Sequence, residues 1–97
     1  MKLKSVYYYD EPKDLELDCF EVRVLTEPES DEKGGYDYAL KVTTIKFIQD
    51  YMTRKGMSYF CAGKVPLLIV QRLDNDTVIS AIKYLLPEID EFGLRIE

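Results

Sequence analysis

Few residues in this chain could carry acid–base or nucleophilic chemistry. None of its 97 residues is histidine, so catalysis would fall to paired carboxylates, a lysine, a tyrosine or a cysteine. Cys61 stands near Gly63 and Lys64, but no general base accompanies it. Cys19 is far away in sequence and forms no CxxC motif with Cys61, so a zinc site is not predicted. Two reduced, partly buried thiols are favoured over a disulfide between them. We therefore predict that the protein is not an enzyme and has no cofactor.

Two short motifs share features with ligand-binding loops but lack the residues those loops need. The DND segment at 74–76 begins like a calcium loop, yet the glycine and the closing glutamate are missing. It is better explained as the cap of a helix. The glycine pair at 34–35 has no following Lys-Ser or Lys-Thr and is surrounded by acids, so we predict a turn. The sequence thus predicts no metal site and no phosphate loop.

Negative charge is concentrated in the first third of the chain. The formal net charge is −5, but residues 10–32 contain ten acids against two basic residues, a local balance of −8. Such a field repels nucleic acid and anionic lipid, and it attracts basic protein surfaces. We call residues 10–18, the densest part, the acidic arm. The alternative explanation of the arm is solubility alone.

Three consecutive tyrosines, Tyr7 to Tyr9, precede the acidic arm. Successive side chains of a strand point to opposite faces, so at least one ring should meet solvent or a partner. Tyrosine is enriched at interface hot spots, although a ring lying on the sheet with its hydroxyl in water would look the same in sequence. The predicted contact residues for a basic protein partner are Tyr8, Tyr9, Asp10, Glu11, Asp14, Glu16, Asp18, Glu29, Asp31 and Glu32.

Hydrophobic periodicity predicts the elements that hold these residues. Residues 2–10 are rich in β-forming types and predict a strand with aromatic residues on both faces. Alternation predicts strands at 18–26, with Phe20, Val22 and Val24 facing inward, and at 36–43, with Tyr36, Tyr38, Leu40 and Val42 facing inward. A helix capped by Thr43 or Thr44 should end at Gly56. It carries one apolar stripe, made of Ile45, Ile48 and Met52 and joined by Phe47 and Tyr51. The apolar run 65–73 predicts a central strand covered on both faces.

A second helix should follow at 74–86, with Val78, Ile79, Ile82, Leu85 and Leu86 buried, before a short final strand. We therefore predict one domain over 1–97 of class α+β. Its mostly antiparallel sheet would have four or five strands with two helices packed on one face, in the order β-β-β-α-β-α and optionally β. No apolar run approaches membrane-spanning length and the N-terminus does not look like a signal peptide, so we expect a cytoplasmic protein without membrane contact.

Several segments, in this order and spacing, resemble the immunity protein 8 family of bacterial polymorphic toxin systems. They are LKSV, FEVRV, GGYDYALKVTT, KFI, GKVPLLIVQRLD and AIKYLLPEIDEFG. The resemblance implies a small α+β antitoxin that binds a cognate toxin domain, for which a basic nuclease is one candidate. The alternative is a small cytoplasmic adaptor or regulatory protein that binds another basic partner. A homodimer through a sheet edge is left open.

Overall fold

A single sheet organises the protein. The computed structural model describes residues 2–9, 11–28, 35–61 and 63–96. Within these residues, the strands are β1 (Lys2–Tyr8), β2 (Cys19–Glu27), β3 (Asp37–Thr43), β4 (Leu67–Ile69) and β5 (Leu94–Ile96). The helices are α1 (Ile45–Lys55), α2 (Asn75–Leu85) and the one-turn α3 (Ile89–Phe92), with a 3₁₀ turn at Leu86–Glu88. None of the helices in the described part is long and apolar enough to cross a membrane.

The described strands lie in the order β1-β2-β3-β4, and β5 pairs with the other half of β3 on the β4 side. The β1–β2, β2–β3 and β3–β5 pairs are antiparallel, whereas β3–β4 is parallel. This confirms the predicted α+β class, the mostly antiparallel sheet and the order of elements, including the optional last strand.

The core lies on one face of the sheet, where β2 and β3 present alternate side chains. Val22, Val24, Leu40 and Val42 are buried there, as the alternation predicted. Tyr36, also predicted to face inward, lies before the start of β3 and is exposed.

Helix α2 covers this face. Its Val78 and Ile82 are fully buried, and Leu86 and Ile89 extend the contact beyond the end of the helix. Asp74 caps the helix, because its carboxylate accepts the N–H of Thr77 at 3.1 Å. The predicted cap is confirmed, and Val78, Ile82 and Leu86 of the predicted stripe are buried, whereas Ile79 and Leu85 are half-buried.

Helix α1 has its predicted ends, but its predicted stripe is only half-buried and Ile45 is exposed. The Thr44 side chain accepts the Phe47 N–H, and Gly56 ends the helix with φ of 65°, a left-handed conformation that favours glycine. No residue of this fully described helix is buried, and Ile45 is 60% exposed. The other four stripe residues are half-buried, and two of them, Phe47 and Tyr51, pack on each other and on Phe60, which follows the helix.

The prediction of a central strand at 65–73 was wrong. β4 has only three residues and lies at the edge of the sheet, and the central strand is β3. The apolar run has a different cause, since Val70 and Leu73 are buried in the core after the strand has ended.

Candidate partner-binding site

The acidic arm links the end of β1 to the start of β2. It therefore crosses the end of the sheet at which β3 ends and α1 begins. Its described part, residues 11–18, has no regular secondary structure, so its backbone must find hydrogen-bond partners elsewhere.

Body residues supply those partners. Within the described part of the arm, three backbone carbonyls accept hydrogen bonds: Leu15 from the Leu73 N–H at 2.7 Å, Glu16 from the Thr44 hydroxyl, and Asp18 from the Thr43 hydroxyl at 2.8 Å. Thr43, Thr44 and Leu73 are buried, so the donor of each bond is shielded from water although the arm itself is largely exposed. The arm is consequently held in one position against the sheet.

Two carboxylates of the arm stabilise its own turns. Asp14 accepts the N–H groups of Glu16 and Leu17 at 2.8 and 3.0 Å, and these bonds hold the pKa of Asp14 below its ordinary value. Asp18 accepts the N–H groups of Lys13 at 2.9 Å and of Cys19 at 2.7 Å. Asp14 therefore favours its charged form, and both carboxylates shape the loop.

Glu16 forms an ion pair with Lys46 of α1, with 2.8 Å between Oε2 and Nζ. The pair lowers the pKa of Glu16 and raises that of Lys46, mainly through the hydrogen bond between them. Both side chains are largely exposed, so the pair adds little stability. Its main effect is to compensate the charge of Glu16.

Glu11 lines two cavities, one on each side of the arm. The first, of about 280 Å³, lies between the arm and the start of α2. Its wall includes the ring of Tyr8, the side chain of Leu15 and the carboxylate of Asp74. This cavity therefore combines apolar surface with negative charge.

The second cavity, of about 560 Å³, lies beside the start of β2. Glu11, Asp18 and Glu21 line it together with Tyr9, and Lys13 is the basic residue of the lining. Glu21 was not among the predicted contact residues. Its outward position in the alternation of β2, directly after the arm, was the signal that could have identified it.

The three tyrosines alternate as predicted. Tyr8 faces the core, where its ring contacts Phe20 edge-to-face at 5.7 Å between centroids and its hydroxyl donates to Asn75 Oδ1 at 2.6 Å. Burial raises the pKa of Tyr8. Tyr7 and Tyr9 are 57% and 46% exposed and meet edge-to-face at 5.4 Å. Of the two predicted contact tyrosines, Tyr9 is thus the accessible one.

Arg23 lies beneath this exposed pair. It is opposite Tyr7 in the β1–β2 register, and its guanidinium carbon is 5.5 Å from the centre of the Tyr9 ring. Its Nε is buried and has no hydrogen-bond partner among the described residues. A cation–π contact of this kind restricts the Tyr9 ring.

Four predicted contact residues, Asp10, Glu29, Asp31 and Glu32, lie outside the described residues. Within the described part, no three His, Cys, Asp or Glu residues are placed to hold a metal ion.

Cys19 lines the second cavity, but burial raises the pKa of its thiol and makes it a weaker nucleophile. The chemistry that the site offers is negative potential beside exposed aromatic rings.

The fold and the site together define an α+β domain that presents a fixed acidic segment at one end of its sheet. Comparison of the chain with protein-family models, curated proteins and solved structures finds no match. The relation to the immunity protein 8 family therefore stays a prediction from the sequence.

Proposed function

We propose that this protein is an immunity protein, which binds a cognate bacterial toxin domain in the cytoplasm of the producing cell and blocks a basic surface on it. One observation carries the proposal: the acidic arm is fixed by bonds to Leu73, Thr43 and Thr44. A segment that is already ordered loses little conformational entropy when it binds. The arm can thus present its charges to a basic partner at low cost.

Glu11 is the carboxylate best placed for direct contact. It is exposed, it lines both cavities, and neither a hydrogen bond nor an ion pair engages it within the described residues. A lysine or arginine of the toxin could reach it from either side, with the ring of Tyr9 beside it in the second cavity. Asp14 and Asp18 add to the field that steers the partner toward the arm.

The adaptor alternative would use the same surface, so the identity of the partner must separate the two functions. The decisive experiment co-expresses the protein with the product of the adjacent gene. An immunity protein restores growth that this product inhibits and forms a stable complex with it. An adjacent product that is harmless, or whose toxicity is not relieved, would contradict the proposal.

A matched pair of double variants tests the surface. Glu11→Lys with Glu21→Lys reverses one charge in the arm and one close to it in β2. Glu88→Lys with Glu91→Lys makes the same change on exposed residues that follow α2. We expect the first pair to slow association with the toxin about tenfold or more at low salt, with a smaller effect at high salt. Equal association rates for the two double variants would move the interface away from the arm.

A further inference from the structure

The two outer edges of the sheet differ in how they are protected. The β1 edge carries Lys2 and Lys4 and has a register shift between Leu3 and Ser5. Charged side chains and irregular pairing are features that keep an edge from pairing with another strand. β4, Leu67–Ile69, has no charged residue and no irregular pairing with β3.

The hydrogen bonds between β3 and β4 show which backbone N–H and C=O groups of β4 are open, that is, not bonded to β3. Lys41 N donates to Pro66 O at 2.8 Å, and Val70 N donates to Thr43 O at 2.9 Å. In a parallel pair, alternate residues direct their N–H and C=O groups to the neighbour. Leu67 and Ile69 therefore direct theirs to the opposite side, where no strand of the described chain lies.

An apolar groove of about 320 Å³ adjoins this edge. Ile45, Ile69 and Val70 line it, and Ile69 is 49% exposed. Ile45 at the start of α1 is also exposed, so two aliphatic side chains meet solvent beside the unpaired outer edge of β4. Beside open backbone groups, such side chains can contact a side chain of a strand added to the sheet.

We infer that the outer edge of β4 binds an extended segment of another protein, which adds a strand to the sheet and places an aliphatic side chain in the groove. The open groups of Leu67 and Ile69 require a strand, and the groove selects an aliphatic residue. Lys64, just before β4, is exposed and makes no ion pair within the described residues. It favours an acidic residue at that end of the segment.

A second copy of this chain fits the edge poorly. Two-fold antiparallel pairing of β4 with itself, with Leu67 opposite Ile69, would bring Lys64 of each copy opposite Arg72 of the other. Like charges directly opposite one another destabilise a strand pair. The inference does not depend on what the acidic arm binds.

The test uses the full chain and an acetylated peptide of about seven residues, in which valine and threonine alternate and one end carries a glutamate. Amide spectra recorded during titration to millimolar peptide should show shifts at Leu67, Ile69 and Val70. Exchange of the Leu67 and Ile69 amide protons should slow about tenfold at saturation. A peptide N-methylated at alternate residues cannot donate to the open carbonyls and should bind about tenfold or more weakly.

Ile69→Lys places a charge on the edge and should weaken binding of the peptide about tenfold, whereas Tyr84→Lys, on the exposed side of α2, should not. The inference is overturned if the N-methylated peptide binds equally well, if the shifts appear away from β4, or if none appear. Self-association that Ile69→Lys abolishes would assign the edge to a second copy instead. Because the peptide assay needs no toxin, its failure and failure of the proposed function are separate results.

Discussion

Thr44 joins the fold to the candidate site, so its substitution tests both. Its hydroxyl oxygen accepts the Phe47 N–H at the start of α1, and its hydroxyl hydrogen is donated to the backbone carbonyl of Glu16 in the acidic arm. Thr44→Val has nearly the same shape but loses both bonds, whereas Thr44→Ser keeps the hydroxyl and loses only a methyl group. The two variants therefore separate hydrogen bonding from packing.

The cost of Thr44→Val follows from these two bonds. Loss of an N-cap side chain costs about 1 kcal/mol. Loss of the bond to the Glu16 carbonyl adds about 1 kcal/mol, because Thr44 itself is buried while Glu16 is exposed and can bond to water. A total of about 2 kcal/mol corresponds to a decrease in Tm of about 8–16 °C for a domain of this size. Thr44→Ser should lose about 1 kcal/mol, through the missing methyl group.

Thermal and urea denaturation measure the free energy of unfolding, and amide order parameters of residues 11–18 report the arm. We expect the order parameters to fall in Thr44→Val and to stay at wild-type values in Thr44→Ser. Association with the toxin should slow in Thr44→Val although the net charge is unchanged. If the two variants were equally stable and had equally ordered arms, the role assigned to the Thr44 hydroxyl would be refuted.

Three further perturbations test the body of the protein. Ile82→Ala should destabilise the fully buried core by about 2–5 kcal/mol and Ile82→Val by about 1 kcal/mol, measured by urea denaturation. Burial and the hydrogen bond to Asp90 raise the pKa of Tyr38 to about 12, so its contribution to stability is complete below about pH 10 and falls as the pH rises to about 12. The stability difference between wild type and Tyr38→Phe should accordingly shrink over that interval, and a constant difference would contradict this origin. Gly56→Ala should cost about 1 kcal/mol because φ is 65° there, and Gly56→Asn should cost less.

Elements whose apolar residues all face the single hydrophobic core were predictable from the sequence. The alternation of β2 and the stripe of α2 both face the same core, so apolar periodicity located them correctly. The caps Thr44 and Asp74 were also predictable, because a capping side chain bonds to backbone only three residues away.

The errors arose where apolar residues pack outside that core. The stripe of α1 is only half-buried, because its aromatic residues pack on Phe60 and Ile45 is exposed. The run 65–73 was assigned to one strand. In the structure, residues 67–69 form a short edge strand, and Val70 and Leu73 after it are buried in the core. Periodicity records that a residue is apolar and does not record which surface covers it.

For the candidate site, the sequence could predict the charge of the arm and the alternation of the tyrosines. It could not predict that Thr43 and Thr44 hold the arm, because these bonds span 25 and 28 positions. Nor could it separate Asp14 and Asp18, which bond to arm N–H groups, from Glu11, which lines two cavities. Those distinctions exist only once the chain has folded.

The acidic arm and the groove beside β4 are neighbours, because the Lys46 side chain lines the groove and bonds to Glu16 of the arm. The exposed ion pair is a weak link, so each surface can bind a small ligand without the other. A stable protein partner is a different case, since a typical interface covers about 800 Å² on each side. Neither the arm cavities nor the groove alone offers that much surface. A tightly bound partner is therefore expected to extend from Glu11 across the Glu16–Lys46 pair to Ile69, with charge steering it to the arm and apolar contact at the groove slowing its release.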